Sequence, residues 1–369
     1  MLQRLVKTGV AHALWGTRAD RWIGTFRGSR QRALVLGYHR VVPHSAATGR
    51  WLPGMAISCD MLEKHLDWLG RSHRFVALDE LGERIAAGEP FERPVAAITF
   101  DDGYADVYEN AFPLLRRKGI PAAVFVLTDL VGTTALPLHD RLYLLLRKFR
   151  ARGETGTAHL RSLLEERGIL SASWQRVAAD PHRALVFLLR RLPRGVLLGV
   201  VDRLERETGV DAEALRELRP VSWSMLRAMQ EGGFLVGSHT RTHALLTNES
   251  NEDIRDEARG SRATLEERLG RPVEHFAYPD GRCDARTVAA VAAAGYRFAY
   301  TTCSHEDPNR PQLTIPRRLF WEGSCLDHRQ RFSGAVLSCQ VNGVFDGADP
   351  CPQDHAWSRT RYPACGPWL

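Results

Sequence analysis

Apolar runs of strand length alternate with amphipathic segments of helical spacing along most of this 369-residue chain. There are seven strand-like runs: residues 33–39, 75–78, 95–100, 120–127, 234–239, 275–279 and 296–302. Strands that alternate with helices pair in parallel through right-handed crossovers. The alternation therefore predicts a parallel α/β fold, either a closed barrel or a doubly wound sheet. Both architectures place functional residues at the C-terminal ends of the strands.

A long gap interrupts this alternation between the run 120–127 and the helical segment 222–231. The gap, residues 128–221, is rich in Arg and Leu and is typical of several helices. Because it follows the C-terminal end of a strand, we expect it to lie beside the functional face of the fold. It would act there either as a cap over the site or as a helical decoration without contact to a ligand.

Positive charge is concentrated at the start of the chain. The formal net charge is +7, yet nine Lys and Arg residues and a single acid, Asp20, fall within residues 1–50. The rest of the chain is close to neutral, so its charge does not indicate a nucleic-acid-binding protein. Apolar residues are interspersed with the basic ones in this N-terminal segment, residues 1–32. Residues 1–30 would rest either on an anionic membrane surface or on the domain itself.

The composition gives further expectations about compartment and cysteine chemistry. No stretch reaches the roughly 18 continuous apolar residues of a membrane span. Lys7, His12 and Arg18 interrupt any signal-peptide core, which predicts a cytoplasmic protein, with peripheral membrane contact as an option. The seven Cys residues form no C-x-x-C pair. Four of them fall in the Cys-, Pro- and Gly-rich tail 321–369, where we expect irregular structure and unpaired thiols.

Three strand ends carry chemically useful side chains. In ITFDDGY (98–104) the adjacent Asp101 and Asp102 are either turn and cap residues, or a metal ligand beside a group that moves a proton. In GSHTRTH (237–243) the spacing of His239 and His243 suits one ion, and a carboxylate would complete the ligand set. In FAYPDG (276–281) a strand enters a turn whose backbone amides can stabilise developing negative charge.

In this order, TFDDGY, SHTRTH and FAYPDG, followed by AAGYRFAYTT, resemble the polysaccharide deacetylase family with its NodB homology domain, carbohydrate esterase family 4. GYHRVV (37–42) and IPRR (315–318) resemble the branch that includes poly-N-acetylglucosamine deacetylases. The resemblance covers about residues 33–320. It implies a distorted (β/α)7 barrel with a helical insertion, 128–221, on the active-site side. It also implies a hydrolase that removes the acetyl group from an N-acetylated sugar or polysaccharide. A divalent metal would assist, Zn²⁺ first and Co²⁺ or Ni²⁺ as alternatives.

Residue roles follow from the resemblance position by position. Asp101 corresponds to the general base, and Asp102, His239 and His243 correspond to the metal ligands. The Arg-x-Pro-Tyr-Gly motif of the family maps onto residues 277–281, where Ala277 replaces the Arg that braces the catalytic Asp. Arg317 is the candidate for that task.

Four positions are expected to contact the substrate, and the general acid is not assigned to a residue. Substrate contacts are expected from His39, Asp280, Gly281 and Arg317. The late Leu-x-His of the family, source of its general acid, has its letters at residues 326–328, outside any strand-like run. A non-catalytic glycan-binding protein of the same fold is the alternative function.

Overall fold

The computed structural model describes residues 2–26, 33–49, 51–166, 168–169, 174–209 and 212–346. Within these ranges the strands are β1 (Ala33–Tyr38), β2 (Arg40–Val42), β3 (Ala56–Ser58), β4 (Arg74–Phe75), β5 (Val95–Phe100), β6 (Ala122–Val126), β7 (Leu235–Ser238), β8 (His275–Ala277), β9 (Phe298–Thr301), β10 (Ile315–Pro316) and β11 (Arg318–Leu319). The α-helices are α1 (Leu2–Gly16), α2 (Ala19–Phe26), α3 (Cys59–Leu69), α4 (Leu78–Ala87), α5 (Phe112–Lys118), α6 (Leu138–Ala151), α7 (Gly153–Glu165), α8 (Trp174–Val177), α9 (Pro181–Leu189), α10 (Arg194–Thr208), α11 (Ala212–Glu217), α12 (Trp223–Glu231), α13 (Asn251–Leu269), α14 (Ala285–Ala293) and α15 (Gly334–Val341).

The main sheet is parallel and closes on itself through residues 315–319. Its strand order is β10-β9-β8-β7-β6-β5-β1-β11, and all the pairs are parallel. Only Arg317 separates β10, which pairs with β9, from β11, which pairs with β1. Residues 315–319 therefore act as one interrupted strand that joins the two edges. The result is a seven-stranded barrel, which confirms the fold class expected from the sequence.

Six of the seven predicted strand runs are barrel strands, and the seventh prediction is wrong. In the run 75–78 only Phe75 is in a strand, because β4 pairs briefly with β5 and α4 already begins at Leu78. The missing barrel strand is the interrupted one, 315–319. Every residue of β5 is buried, as expected for a strand that is covered on both faces.

Local signals in the sequence fix the ends of several helices around the barrel. The Ser58 side chain accepts a hydrogen bond from the amide of Met61 at the start of α3, and Ser250 caps α13 in the same way through Asp253. Gly119 and Gly270 end α5 and α13 in the left-handed conformation that glycine adopts without a Cβ penalty.

Helices α6 to α11 occupy the gap 128–221. They have a hydrophobic core of their own, built around buried residues such as Leu142, Phe149, Leu188 and Val201. The insertion also contacts the loops at the C-terminal ends of β7 and β8. The side-chain amide of Asn248, through Nδ2, donates to the carbonyl oxygens of Leu189 and Leu192 at 2.9 and 3.3 Å. The helical insertion thus lies on the active-site side, as the sequence predicts.

The N-terminal segment and part of the tail pack together. The prediction of an irregular tail is wrong for residues 334–341, which form α15 because Ser333 caps an apolar run. Ala11 of α1 is fully buried against Ala335, Val336 and Cys339 of that helix. Buried Asp20 accepts a hydrogen bond from Ser338. The predictions for residues 27–32 and 347–369, including Cys351 and Cys365, lie outside the described residues. Cys59, Cys325 and Cys339 are free thiols.

The described helices include none that is both long and apolar enough to cross a bilayer. Helix α1 instead presents an apolar face to solvent, since Leu5, Val6 and Val10 are 52%, 56% and 43% exposed. Its inward face is built from small or polar residues such as Thr8 and Ala11.

We predict that Ala11→Asp destabilises the packing of α1 on α15 by at least about 2 kcal/mol, because it buries a charge that has no partner. Ala13→Asp, on the exposed side of the same helix, is the matched control and should change stability by less than about 0.5 kcal/mol. Urea unfolding and limited proteolysis of the N-terminal segment measure the difference. Equal effects of the two substitutions would contradict the observed packing.

Candidate metal and proton-transfer site

The two adjacent aspartates lie at the C-terminal end of β5, in the middle of the barrel. Asp101 and Asp102 are 2% and 3% exposed. The amide of Asp101 donates to the carbonyl oxygen of Tyr38 at 2.8 Å, which ties the end of β5 to the end of β1. Asp102 adopts φ of 66°, a left-handed conformation that non-glycine residues seldom adopt outside functional sites. The carboxylate of Asp102 is therefore placed by a strained turn rather than by solvation.

Asp101 forms a bidentate ion pair with Arg317. Nη1 and Nη2 of the guanidinium each lie 2.7 Å from one carboxylate oxygen, and Nη1 also donates to Oγ1 of Thr99 at 3.2 Å. The side chains of both partners are almost completely buried. Arg317 is the residue between β10 and β11, so the position that closes the barrel also supplies the cation of this pair. Arg317 thus contacts Asp101, as expected from the sequence, and occupies the role of the family's Arg, which Ala277 replaces.

The two carboxyl groups have opposite electrostatics. Burial favours the neutral form of Asp101, but Arg317 and then His239 outweigh it and hold the pKa of this group below its usual value. Burial, and then the neighbouring Asp101 and Asp140, raise the pKa of Asp102 well above its usual value. Both oxygens of Asp102 are buried without a hydrogen-bond partner. Asp101 is therefore satisfied within the chain, whereas Asp102 requires a cation or a proton.

His239 and His243 supply nitrogen atoms beside the unpartnered oxygens of Asp102. Their Nε2 atoms lie 3.6 and 3.4 Å from Oδ1 of Asp102, and one ligand atom from each of the three residues lies within 4.8 Å of the others. Nδ1 of His239 donates to the carbonyl oxygen of Ala277 at 2.7 Å, which leaves the lone pair of Nε2 directed at Asp102.

Glu257 of α13 shapes the loop that carries the two histidines. Its carboxylate accepts hydrogen bonds from the amides of Arg241 and Thr242 and from Oγ1 of Thr242. Thr240 and His243 adopt positive φ angles of 72° and 63°. A tight loop at the end of β7 therefore brings the two histidine side chains together. On a helix, the same H-x3-H spacing would place both side chains on one face.

A divalent cation fits this donor set. Two imidazole nitrogens and a carboxylate are ligands that zinc, cobalt and nickel accept. Burial is the first cause that lowers the pKa of His239, to about 4, and it lowers that of His243 well below its usual value, so both rings are neutral at pH 7. Neutral imidazole is the form that ligates metal, and the orphaned oxygens of Asp102 supply the negative charge.

The sequence did not indicate His139, the second residue of α6 in the insertion. It is 3% exposed; its Nε2 lies 3.7 Å from Oδ2 of Asp102, and its ring centroid lies 4.6 Å from that of His243. The hydroxyl of Tyr104 lies 3.1 Å from the same Nε2 and donates to Oδ2 of Asp140 at 2.7 Å. Among fourteen His residues, only the fold could identify this one, because it reaches the site from an element remote in sequence.

The remaining predicted residues lie around the barrel mouth. His39 occupies the single position between β1 and β2, where burial lowers its pKa to about 4 despite the opposing charge of Asp101. Asp280 pairs with Arg190 of the insertion at 2.8 Å. Gly281 has φ of 61°, and a Cβ there would lie 2.1 Å from Oγ1 of Thr302. The amide of Gly281 donates to Tyr278 within the turn, so it does not point at the site. His328 is exposed in the loop after β11.

The chain is thus a parallel-barrel protein with a buried Asp-His-His group that suits a metal ion and, beside it, a second Asp that is paired with Arg317. The sequence profile of the polysaccharide deacetylase family matches residues 88–299, more than half of the chain, and the chain belongs to that family.

Individual relatives agree with this assignment. The poly-beta-1,6-N-acetyl-D-glucosamine N-deacetylase of Staphylococcus aureus (strain MSSA476) is 32% identical over 110 residues, which are 27% of this chain and 37% of the relative. The match thus spans little more than a third of that protein. The fold is similar to that of IcaB from Ammonifex degensii, with a TM-score of 0.51, 19% identity, and 84% and 97% of the two chains covered. It is also similar to the Streptococcus pyogenes deacetylase PplD, with a TM-score of 0.51, 16% identity, and 79% and 93% covered.

We predict that His239→Ala, His243→Ala and Asp102→Asn each abolish stoichiometric binding of zinc or cobalt, because each removes one ligand from the group of three identified among the described residues. His328→Ala is the control, since this imidazole is exposed and outside the group, and it should bind metal as the unsubstituted protein does. Metal content after gel filtration, measured by plasma mass spectrometry, provides the test. Full occupancy in all three ligand variants would exclude this site.

Proposed function

We propose that the chain is a metal-dependent deacetylase that hydrolyses the N-acetyl group of an N-acetylated sugar or polysaccharide. The observation that carries the proposal is the contrast between the two aspartates: Arg317 keeps Asp101 ionised, while Asp102 faces two neutral histidines with both oxygens unpartnered. One carboxylate is thereby available as a base and the other as a ligand. Family membership and the S. aureus relative support the same substrate class.

The chemistry divides between the cation and the residues of the chain. A divalent cation bound by Asp102, His239 and His243, with Zn²⁺ preferred to Co²⁺ or Ni²⁺, would polarise the acetamide carbonyl and acidify the attacking water. Asp101 takes the proton from that water, since Arg317 and His239 keep its carboxylate ionised and Arg317 fixes its position at the site. Arg317 fixes the orientation of Asp101 through both oxygens and excludes its protonation at neutral pH. His39 faces Asp101 from the end of β1 and would contact the substrate there.

We predict that Asp101→Asn lowers kcat for acetate release by about 10²- to 10⁴-fold while bound metal stays near that of the unsubstituted protein, because an amide cannot accept the proton. Asp102→Asn should instead lose metal and activity together, and the comparison of these neighbouring substitutions separates the two roles. Assays use β-1,6- and β-1,4-linked N-acetylglucosamine oligomers, with and without added zinc or cobalt.

The alternative, a non-catalytic glycan-binding protein, makes a different prediction for the same experiment. It requires oligomer binding without acetate release, and it requires that Asp101→Asn leave binding unchanged because the residue would then serve only the turn. Unchanged turnover in Asp101→Asn would overturn the proposed mechanism. Absence of turnover in the unsubstituted, metal-loaded protein, together with oligomer binding, would favour the glycan-binding protein.

We also propose that α1 and α2 contact an anionic membrane surface at the cytoplasmic face. Six large apolar side chains are exposed among the described residues; all but Val196 belong to these two helices, namely Leu5, Val6, Val10, Trp15 and Trp22. Two basic residues are also exposed here: Arg4 lies on α1, and Arg18 lies between α1 and α2. Apolar side chains flanked by basic ones favour the interface of an anionic bilayer, where each basic residue contributes about 1 kcal/mol.

We predict that the protein floats with vesicles of phosphatidylcholine and phosphatidylglycerol, and much less with vesicles of phosphatidylcholine alone. The triple substitution Leu5→Ser, Val10→Ser, Trp22→Ser should reduce flotation severalfold, since it removes most of the exposed apolar area. Val196→Ser, an exposed apolar residue on the insertion, is the matched control. Equal flotation of the triple variant and the control would refute the membrane contact, and concentration-dependent dimerisation through this face would assign it to a second copy of the chain.

A further inference from the structure

The two carboxylate oxygens of Asp102 face different histidines. Its Oδ1 is the oxygen closest to Nε2 of His239 and His243, at 3.6 and 3.4 Å, whereas its Oδ2 lies 3.7 Å from Nε2 of His139. Both oxygens are buried and lack a hydrogen-bond partner. A carboxylate that binds a cation through one oxygen requires a donor near the other to hold its orientation. The insertion places Nε2 of His139 near this second oxygen.

Three buried side chains define which nitrogen of His139 carries a proton. The Tyr104 hydroxyl donates its single hydrogen to Oδ2 of Asp140 at 2.7 Å, so the contact of 3.1 Å between this hydroxyl and His139 is made by an N–H at Nε2. Asp140, Tyr104 and His139 are 2%, 1% and 3% exposed, so water does not compete for these contacts. The single Nε2–H of His139 therefore has two acceptors beside it, the Tyr104 oxygen at 3.1 Å and Oδ2 of Asp102 at 3.7 Å, and the carboxylate is the stronger acceptor of the two.

His139 is placed to orient a ligand rather than to be one. The group whose ligand atoms all lie within 4.8 Å of one another comprises Asp102, His239 and His243 and does not include His139. An N–H at Nε2 also has no lone pair for a metal. Its distance of 3.7 Å from Oδ2 exceeds the length of a hydrogen bond by less than 1 Å, so a hydrogen bond between them requires a movement of less than 1 Å.

We propose that the helical insertion is part of the cation site, and that His139 is a positioning residue whose Nε2–H holds the outer oxygen of Asp102. The proposal deepens the proposed function, because it concerns the same cation site. Residues 138–140 of the insertion would then orient the metal-binding carboxylate, a role for which the sequence motifs of the barrel suggest no residue. The proposal also gives the insertion a role beyond covering the site, since the metal-binding carboxylate would be oriented from α6.

The test measures cation affinity of the apoprotein, without substrate. His139→Ala should weaken binding of zinc and cobalt by about 10- to 100-fold, the effect typical of losing a group that orients a metal ligand. His139→Gln, whose amide nitrogen falls near the position of Nε2, should recover most of the affinity. His139→Asn, whose amide reaches only the position of Nδ1, should not.

His159→Ala is the matched control, since this imidazole also belongs to the insertion but pairs with Glu207 in an exposed position. It should leave cation affinity unchanged. Circular dichroism of each apoprotein establishes that the variants are folded. If His139→Ala does not fold, the comparison of the Gln and Asn variants decides, because both keep a polar side chain in the same space.

The visible spectrum of the cobalt-loaded protein separates a positioning residue from a ligand. His139→Gln should keep the positions and intensities of the cobalt bands, because the ligand set is unchanged. Affinity of His139→Ala within twofold of the unsubstituted protein, or equal affinities of the Gln and Asn variants, would overturn the proposal. A changed cobalt spectrum in His139→Gln would overturn it too, by making His139 a ligand. Tight cation binding without acetate release would instead contradict the proposed function alone.

Discussion

The bidentate pair between Arg317 and Asp101 connects the closure of the barrel to its chemistry. Residues 315–319 join β9 to β1. Arg317 lies between the residues that pair with each of these strands, and its amide donates to the carbonyl oxygen of Thr301 at the end of β9 at 2.7 Å. Its side chain turns inward and meets Asp101 at the end of β5. Leaving either charge buried without its partner would cost about 3–5 kcal/mol. The pair therefore ties a base at the centre of the site to the strand that completes the fold.

The same pair explains how adjacent carboxylates acquire different roles. Arg317 neutralises Asp101, so the negative charge that remains for a cation is that of Asp102, whose left-handed backbone directs it to His239 and His243. Two unpaired carboxylates in this interior would repel each other, and one of them would remain protonated. With the guanidinium present, Asp101 stays ionised without claiming the cation. The division of labour thus follows from one residue on a strand remote in sequence.

Local patterns predicted most of the fold, and contacts remote in sequence account for what they missed. Apolar runs such as 95–100 and the motifs at their ends are short-range signals, and the structure has them as expected. The strand 315–319 escaped detection because Pro316 cannot donate a sheet hydrogen bond and Arg317 interrupts the run. Packing of α1 and α2 on α15 joins residues more than 300 positions apart, as in the contact between Asp20 of α2 and Ser338 of α15. His139 was missed for the same reason.

The insertion can influence the site because it is both internally packed and attached to the barrel at several places, among them the contacts of Asn248 with Leu189 and Leu192. Its own core of leucine, valine and aromatic side chains keeps α6, α9 and α10 in one arrangement. At one side His139 and Asp140 reach Tyr104 and Asp102, and at the other Arg190 pairs with Asp280. The second attachment is an exposed ion pair, which contributes about 0–1 kcal/mol. The first is buried and hydrogen-bonded. A displacement of α6 relative to β5 would therefore also move His139, whose Nε2 faces Asp102.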